Sequence, residues 1–124
     1  MAVPVVYSCS GCSSAAQAAN WVALWLDRCG EAEMSCIAGV GGGVGPLMKR
    51  LREAERVVAI DGCPLACTLA CLRGAGRLPD VHVELTRYGV GKRTQDSFNS
   101  PEVGRALEAV RGRMAEAGLA RRPS

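Results

Sequence analysis

Cys9-Ser-Gly-Cys12 and Cys63-Pro-Leu-Ala-Cys67 hold four of the chain's seven cysteines in two short groups, with Cys29 and Cys36 between them. Thiolate sulfur is both a nucleophile and a soft metal ligand. Zinc binds sulfur at about 2.3 Å, which requires its sulfurs to lie within roughly 4 Å of one another. Cys9 and Cys12 on a turn can satisfy that distance, and so can Cys63 and Cys67 one helical turn apart. Cys71 cannot, because on a continuous helix it would lie about 12 Å along the axis from Cys63. It reads as a core cysteine, and Cys29 as incidental at a helix end. Asp61 precedes the second group and is read either as a carboxylate orienting a ligand or as an acceptor of backbone hydrogen bonds in the turn. His82, the only histidine, sits between Val81 and Val83 on an alternating stretch and is expected to face away from them rather than toward a metal. One histidine so placed cannot complete a nucleophile–His–acid arrangement.

These residues need elements to position them. Val3–Tyr7 is a β-branched run and a predicted first strand. Ser14 and Gln17 have capping-box spacing, and Ala15, Ala19, Val22 and Leu26 then share one helical face up to Gly30. Met34, Cys36 and Ile37 suit a short second strand leading into Gly39–Gly45, read as a flexible loop over the cysteine edge. That loop lacks the spacing of a phosphate cradle. A second helix is expected from Pro46 to Arg56, and Val57–Ile60 is the continuous apolar run of a strand buried on both faces. Pro64 suits a first helical position, so Cys63 is expected to cap a third helix ending near Gly74. Asp80–Leu85 alternates as a fourth strand, and Ser100-Pro101 opens a last helix with Val103, Leu107, Val110 and Met114 on one stripe.

The alternation β-α-β-α-β-α-β-α predicts a single three-layer α/β domain with a small, mainly parallel sheet, flavodoxin-like or Rossmann-like; it does not fix the strand order, for which the flavodoxin-like 2-1-3-4 is our choice. The domain is expected to cover residues 1–118, with 119–124 a short basic tail. In such a sheet the C-terminal strand ends share one edge, where these folds bind ligands. Cys9, Cys12, Cys36, Cys63 and Cys67 all fall at that edge. Cys12 and Cys63 are placed at helix starts, where backbone dipoles favour thiolate.

Composition narrows the classes. Hydrophobic residues are 48% and charged residues 22% of 124, enough for an ordinary core. Aromatic content of 4% and scattered basic residues at a net charge of +3 disfavour nucleic-acid binding. No apolar run is long enough to span a membrane, and the start lacks a basic region before an apolar stretch. The expected compartment is the cytoplasm, whose reducing conditions favour metal or redox roles for close cysteines over structural disulfides.

Cys9-Ser-Gly-Cys12-Ser13, Ala32–Val40 and Ile60-Asp-Gly-Cys63-Pro-Leu-Ala-Cys67 resemble the DGC-domain family, named for its Asp-Gly-Cys motif. The similarity runs through Tyr88-Gly-Val90 and covers about residues 5 to 95. It implies a zinc-binding role resting on chelating cysteines and supplies no reaction. The implied ligands fall on Cys9, Cys12, Cys63 and Cys67, with Cys36 a fifth candidate. Val90-Gly91-Lys92-Arg93 departs from the tighter lysine pair of the family. Lys92 and Arg93 would offset thiolate charge or simply form a solvated turn.

The expected protein is therefore a small metal-binding protein holding zinc, its partner being the metal ion, with any protein partner unspecified. Four thiolates close such a site, while three leave a position open. The first alternative is an iron–sulfur cluster for electron transfer or sulfur chemistry. The second is a metal-free thiol oxidoreductase in which Cys12 attacks and Cys9 resolves.

Overall fold

Alternation along the strands builds two cores. Val6, Val58, Ile60, Val81 and Val83 face one side of the sheet, and Val5, Tyr7, Val57 and Ala59 the other. A computed structural model describes residues 3–119. Its strands are β1 (Val5–Ser8), β2 (Glu33–Met34), β3 (Val57–Asp61) and β4 (Val81–Glu84). All pair in parallel, in the order β2-β1-β3-β4, the flavodoxin-like arrangement anticipated from sequence. β1 and β3 are central and wholly buried, as parallel strands covered on both faces must be.

Five α-helices complete the three layers among the described residues: α1 (Ser14–Arg28), α2 (Ile37–Gly41), α3 (Gly45–Glu53), α4 (Cys67–Gly74) and α5 (Ser100–Glu116). α1 and α5 cover the first face with Ala15, Ala19, Val22, Leu26, Ala106, Val110 and Met114. α2, α3 and α4 cover the second with Val40, Leu51 and Leu72. Asn99 and Glu102 close a full capping box at the start of α5.

Three local expectations are corrected. The cap of α1 is Ser13, whose hydroxyl accepts from the Ala16 amide at 3.2 Å. Ser14 is engaged elsewhere: its hydroxyl donates to Gly91 O at 2.7 Å and accepts from Arg93 N at 2.9 Å. The glycine-rich segment is not a flexible loop throughout, since Ile37–Gly41 is helix α2. Its glycines let it sit close to its neighbours: a Cβ on Gly39 would meet Leu47 Cδ1 at 1.8 Å, and one on Gly41 would meet Cys71 Sγ at 3.1 Å. Cys63 does not cap a helix. The chain turns through Cys63-Pro64-Leu65, Ala66 adopts the left-handed conformation (φ 51°), and α4 begins at Cys67. The terminal residues 120–124 of the expected basic tail lie outside the described residues.

Candidate functional site

β1 and β3 end side by side, and the strand order reverses between them: the chain leaves β1 for β2 on one side and β3 for β4 on the other. A crevice outside such a switch point is the usual ligand position in open parallel sheets. Cys9 follows β1 directly. Its amide donates to Ile60 O at 3.0 Å, and its half-buried sulfur accepts from the Gly62 amide at 3.1 Å. The first thiol is thereby tied to the Asp-Gly-Cys turn, 53 residues away.

Each member of Asp61-Gly62-Cys63 has a physical task. Asp61 is 1% exposed. Its carboxylate accepts from the Thr68 amide at 2.7 Å and the Leu69 amide at 3.1 Å, capping α4 from seven residues upstream. His82 Nε2 donates to the same carboxylate at 2.8 Å. Burial works to raise the Asp61 pKa, but His82 and the two amides outweigh it and hold the carboxyl below its ordinary value. Gly62 lies against the backbone of α1, where an added Cβ would meet Ala15 C at 2.6 Å and Ala16 N at 2.7 Å. Cys63 then emerges half-buried beside the crevice, with Cys67 exposed on the first turn of α4.

Cys9 feels its surroundings most strongly. Burial, above all, pushes the Cys9 thiol up to about 11. The Gly62 N–H opposes this, while the charges of Asp61, Cys63 and Cys67 add to it. Cys9 is thus a neutral thiol at physiological pH, and Cys9, Cys63 and Cys67 share one electrostatic neighbourhood. A divalent cation there would reverse the balance by favouring deprotonated sulfur.

The other sequence candidates are placed less closely. Cys12 is exposed just ahead of the α1 cap, and Cys36 is exposed at the N-cap of α2, past β2. Cys71 is half-buried against Gly41, and Cys29 is exposed at the C-cap of α1. All seven cysteines are free. Among the described residues no three side chains of His, Cys, Asp and Glu converge closely enough to hold a metal ion. The donor set fits a thiophilic metal in kind, and ligation would require thiol side chains to rotate together. Arg93 is not directed at sulfur. Its guanidinium forks onto Glu102 at 2.6 Å and Asp96 at 2.8 Å, with Glu102 buried beneath it.

The residue that sequence reasoning undervalued is His82. It does lie opposite the buried Val81 and Val83, as alternation required. Pairing of Ala59 with His82 and Asp61 with Glu84 puts His82 and Asp61 on one face of neighbouring strands. The signal was the shared parity of the two residues once β3 and β4 are paired in parallel. A second feature, a cleft of about 640 Å³, opens beside β2 between α1 and α2 and includes Cys36 in its wall.

Fold and site together define a parallel three-layer α/β protein with free thiols gathered at the carboxyl ends of its strands. The chain belongs to the DGC domain family, which matches residues 5–110. It is 52% identical over 91 residues to a Pseudomonas aeruginosa protein described as "Anaerobic and virulence modulator AnvM", covering 73% of this chain and 70% of that one. No solved structure matches the chain. Among the described residues no helix is long and apolar enough to cross a membrane.

Proposed function

We propose that the protein binds a thiophilic metal, zinc in the first instance, through Cys9, Cys63 and Cys67, with Cys12 and Cys36 available to complete the set. The observation that carries this reading is the 3.1 Å hydrogen bond from the Gly62 amide to the Cys9 sulfur, which joins the thiol after β1 to the Asp-Gly-Cys turn after β3. Asp61 supports the site indirectly, by fixing the turn that carries Cys63 and the helix that carries Cys67. When bound, zinc would supply either a closed structural cross-link or, with three thiolates, an open Lewis-acid position. In this chain Gly62 orients Cys9 through its amide, and partial burial raises the cost of charging that sulfur without a metal.

Elemental analysis of the full chain, purified anaerobically without chelator, tests the reading. About one equivalent of zinc is expected, falling to trace in Cys9→Ser and Cys63→Ser. Chelation should lower Tm by several degrees, since about 1 kcal/mol of lost stabilisation shifts a domain this size by roughly 4 °C. Trace metal in the unaltered protein overturns it.

A second reading has its own support, the word "anaerobic" in the description of the Pseudomonas aeruginosa relative. An oxygen-labile iron–sulfur cluster on the same thiolates would suit a modulator tied to anaerobic conditions. Brown colour with stoichiometric iron and sulfide in the anaerobic preparation selects this reading over zinc.

A further inference from the structure

The cleft beside β2 has a chemistry set mainly by residues other than the thiols, although Cys36 stands in its wall. Leu24, Met34, Ile37 and Leu47 supply apolar walls from α1, β2, α2 and α3. Ser8, at the carboxyl end of β1, also lines it. That residue is 3% exposed, and its hydroxyl meets no hydrogen-bond partner. A buried hydroxyl left unsatisfied is costly, and such groups are uncommon in folded proteins unless something else meets them. At a cavity wall, the simplest counterpart is a polar atom of a bound molecule.

Charge then selects the class of molecule. No lysine or arginine lines the cleft, and Asp27 at its exposed rim is the single charged residue there. Asp27 Oδ1 accepts from the Met34 amide at 2.9 Å, while Asp27 forms no ion pair among the described residues. A phosphate or carboxylate would enter against that charge with nothing to offset it. A cation would be attracted. We propose that the cleft is a binding site for a small amphipathic amine. Its ammonium group lies at Asp27, its apolar body lies on Leu24, Met34, Ile37 and Leu47, and a polar atom reaches Ser8. The volume, about 640 Å³, is within the range of small-molecule sites. The proposal needs no metal and shares with the reading above only Cys36, an accessory thiol there and a wall residue here.

The test is a two-dimensional amide NMR titration of the full chain with tyramine, phenethylamine and isoamylamine, and with 4-hydroxyphenylacetate as the matched anion. At least one amine should give saturable shifts centred on residues 8, 27 and 34–38, with the anion giving none. Asp27→Asn keeps the oxygen that accepts from Met34 and should weaken binding by at least about threefold. Ser8→Ala should weaken binding of a doubly polar amine such as tyramine several-fold, with Tm of the free protein unchanged or raised, because it removes an unpaired hydroxyl. Equal binding of the anion, shifts centred elsewhere, indifference to Asp27→Asn or Ser8→Ala, or no saturable shift with any of the three amines overturns the proposal.

Discussion

Asp61 and Glu102 are both buried carboxylates, and each is kept ionised by partners from another part of the chain. Asp61 serves the thiol-bearing turn through Thr68, Leu69 and His82. Glu102 ties the segment after β4 to α5: it accepts from Gly91 N at 2.7 Å, Asn99 N at 3.0 Å and Arg93. The Arg93 hydrogen bond, followed by the two amides, lowers the Glu102 pKa from 4.5 to about 2. A depressed carboxylate contributes stability that is complete above its unfolded value near 4.5 and is lost as pH falls through about 2. Glu102→Gln should therefore be less stable than the parent at pH 7, with the gap closing as pH is taken from about 4.5 toward 2. Urea unfolding at pH 7, 4 and 2.5 checks this, and a gap independent of pH would contradict the assignment.

Elements meet here through glycines whose roles differ. Gly62 is required because the β3–α4 turn lies against the backbone of α1, which cannot yield to a Cβ. Gly112 lies within α5, where an added Cβ would meet nothing within 4 Å. Gly62→Ala is expected to cost about 2–3 kcal/mol, the upper part of the range for overpacking, and to loosen the Gly62 amide from Cys9. Gly112→Ala should instead stabilise by about 0.5–1 kcal/mol, through helix propensity alone. Thermal or urea denaturation of the two variants side by side reads out the contrast. The glycine of the Asp-Gly-Cys motif is thus explained by a close approach between elements and not by an unusual φ.

Across the whole molecule, burial is graded from the centre of the sheet outward. β1 and β3 are covered on both faces and paired on both sides, whereas β2 has two residues and forms one edge. Amides that open only with global unfolding belong to such central strands. Hydrogen exchange should be slowest at the laddered amides of β1 and β3 and faster in the β2–α2 segment. Equal protection of β2 would contradict this order. The same grading gives the thiol edge a firm base at Cys9 and places the amine cleft along the less constrained border of the sheet.

Much of this was legible from local pattern. Apolar runs announced β1 and β3, helical periodicity announced α1 and α5, and alternating apolar and other residues announced β4, because each reflects contacts repeated along one short segment. The positions of Cys9 and Cys63 after strands followed directly, whereas Cys36 and Ile37, expected within the second strand, lie beyond it at the start of α2. Tertiary structure decided the rest. The start of α4 was displaced to Cys67 because Asp61 supplies its cap from the preceding strand, while Ala66 takes the left-handed turn. Ser13 replaced Ser14 as the α1 cap because the segment at Gly91–Arg93, 77–79 residues away, engages Ser14. His82 met Asp61 only after β3 and β4 were paired. Such choices depend on partners remote along the chain, whose energies enter only when the layers have closed.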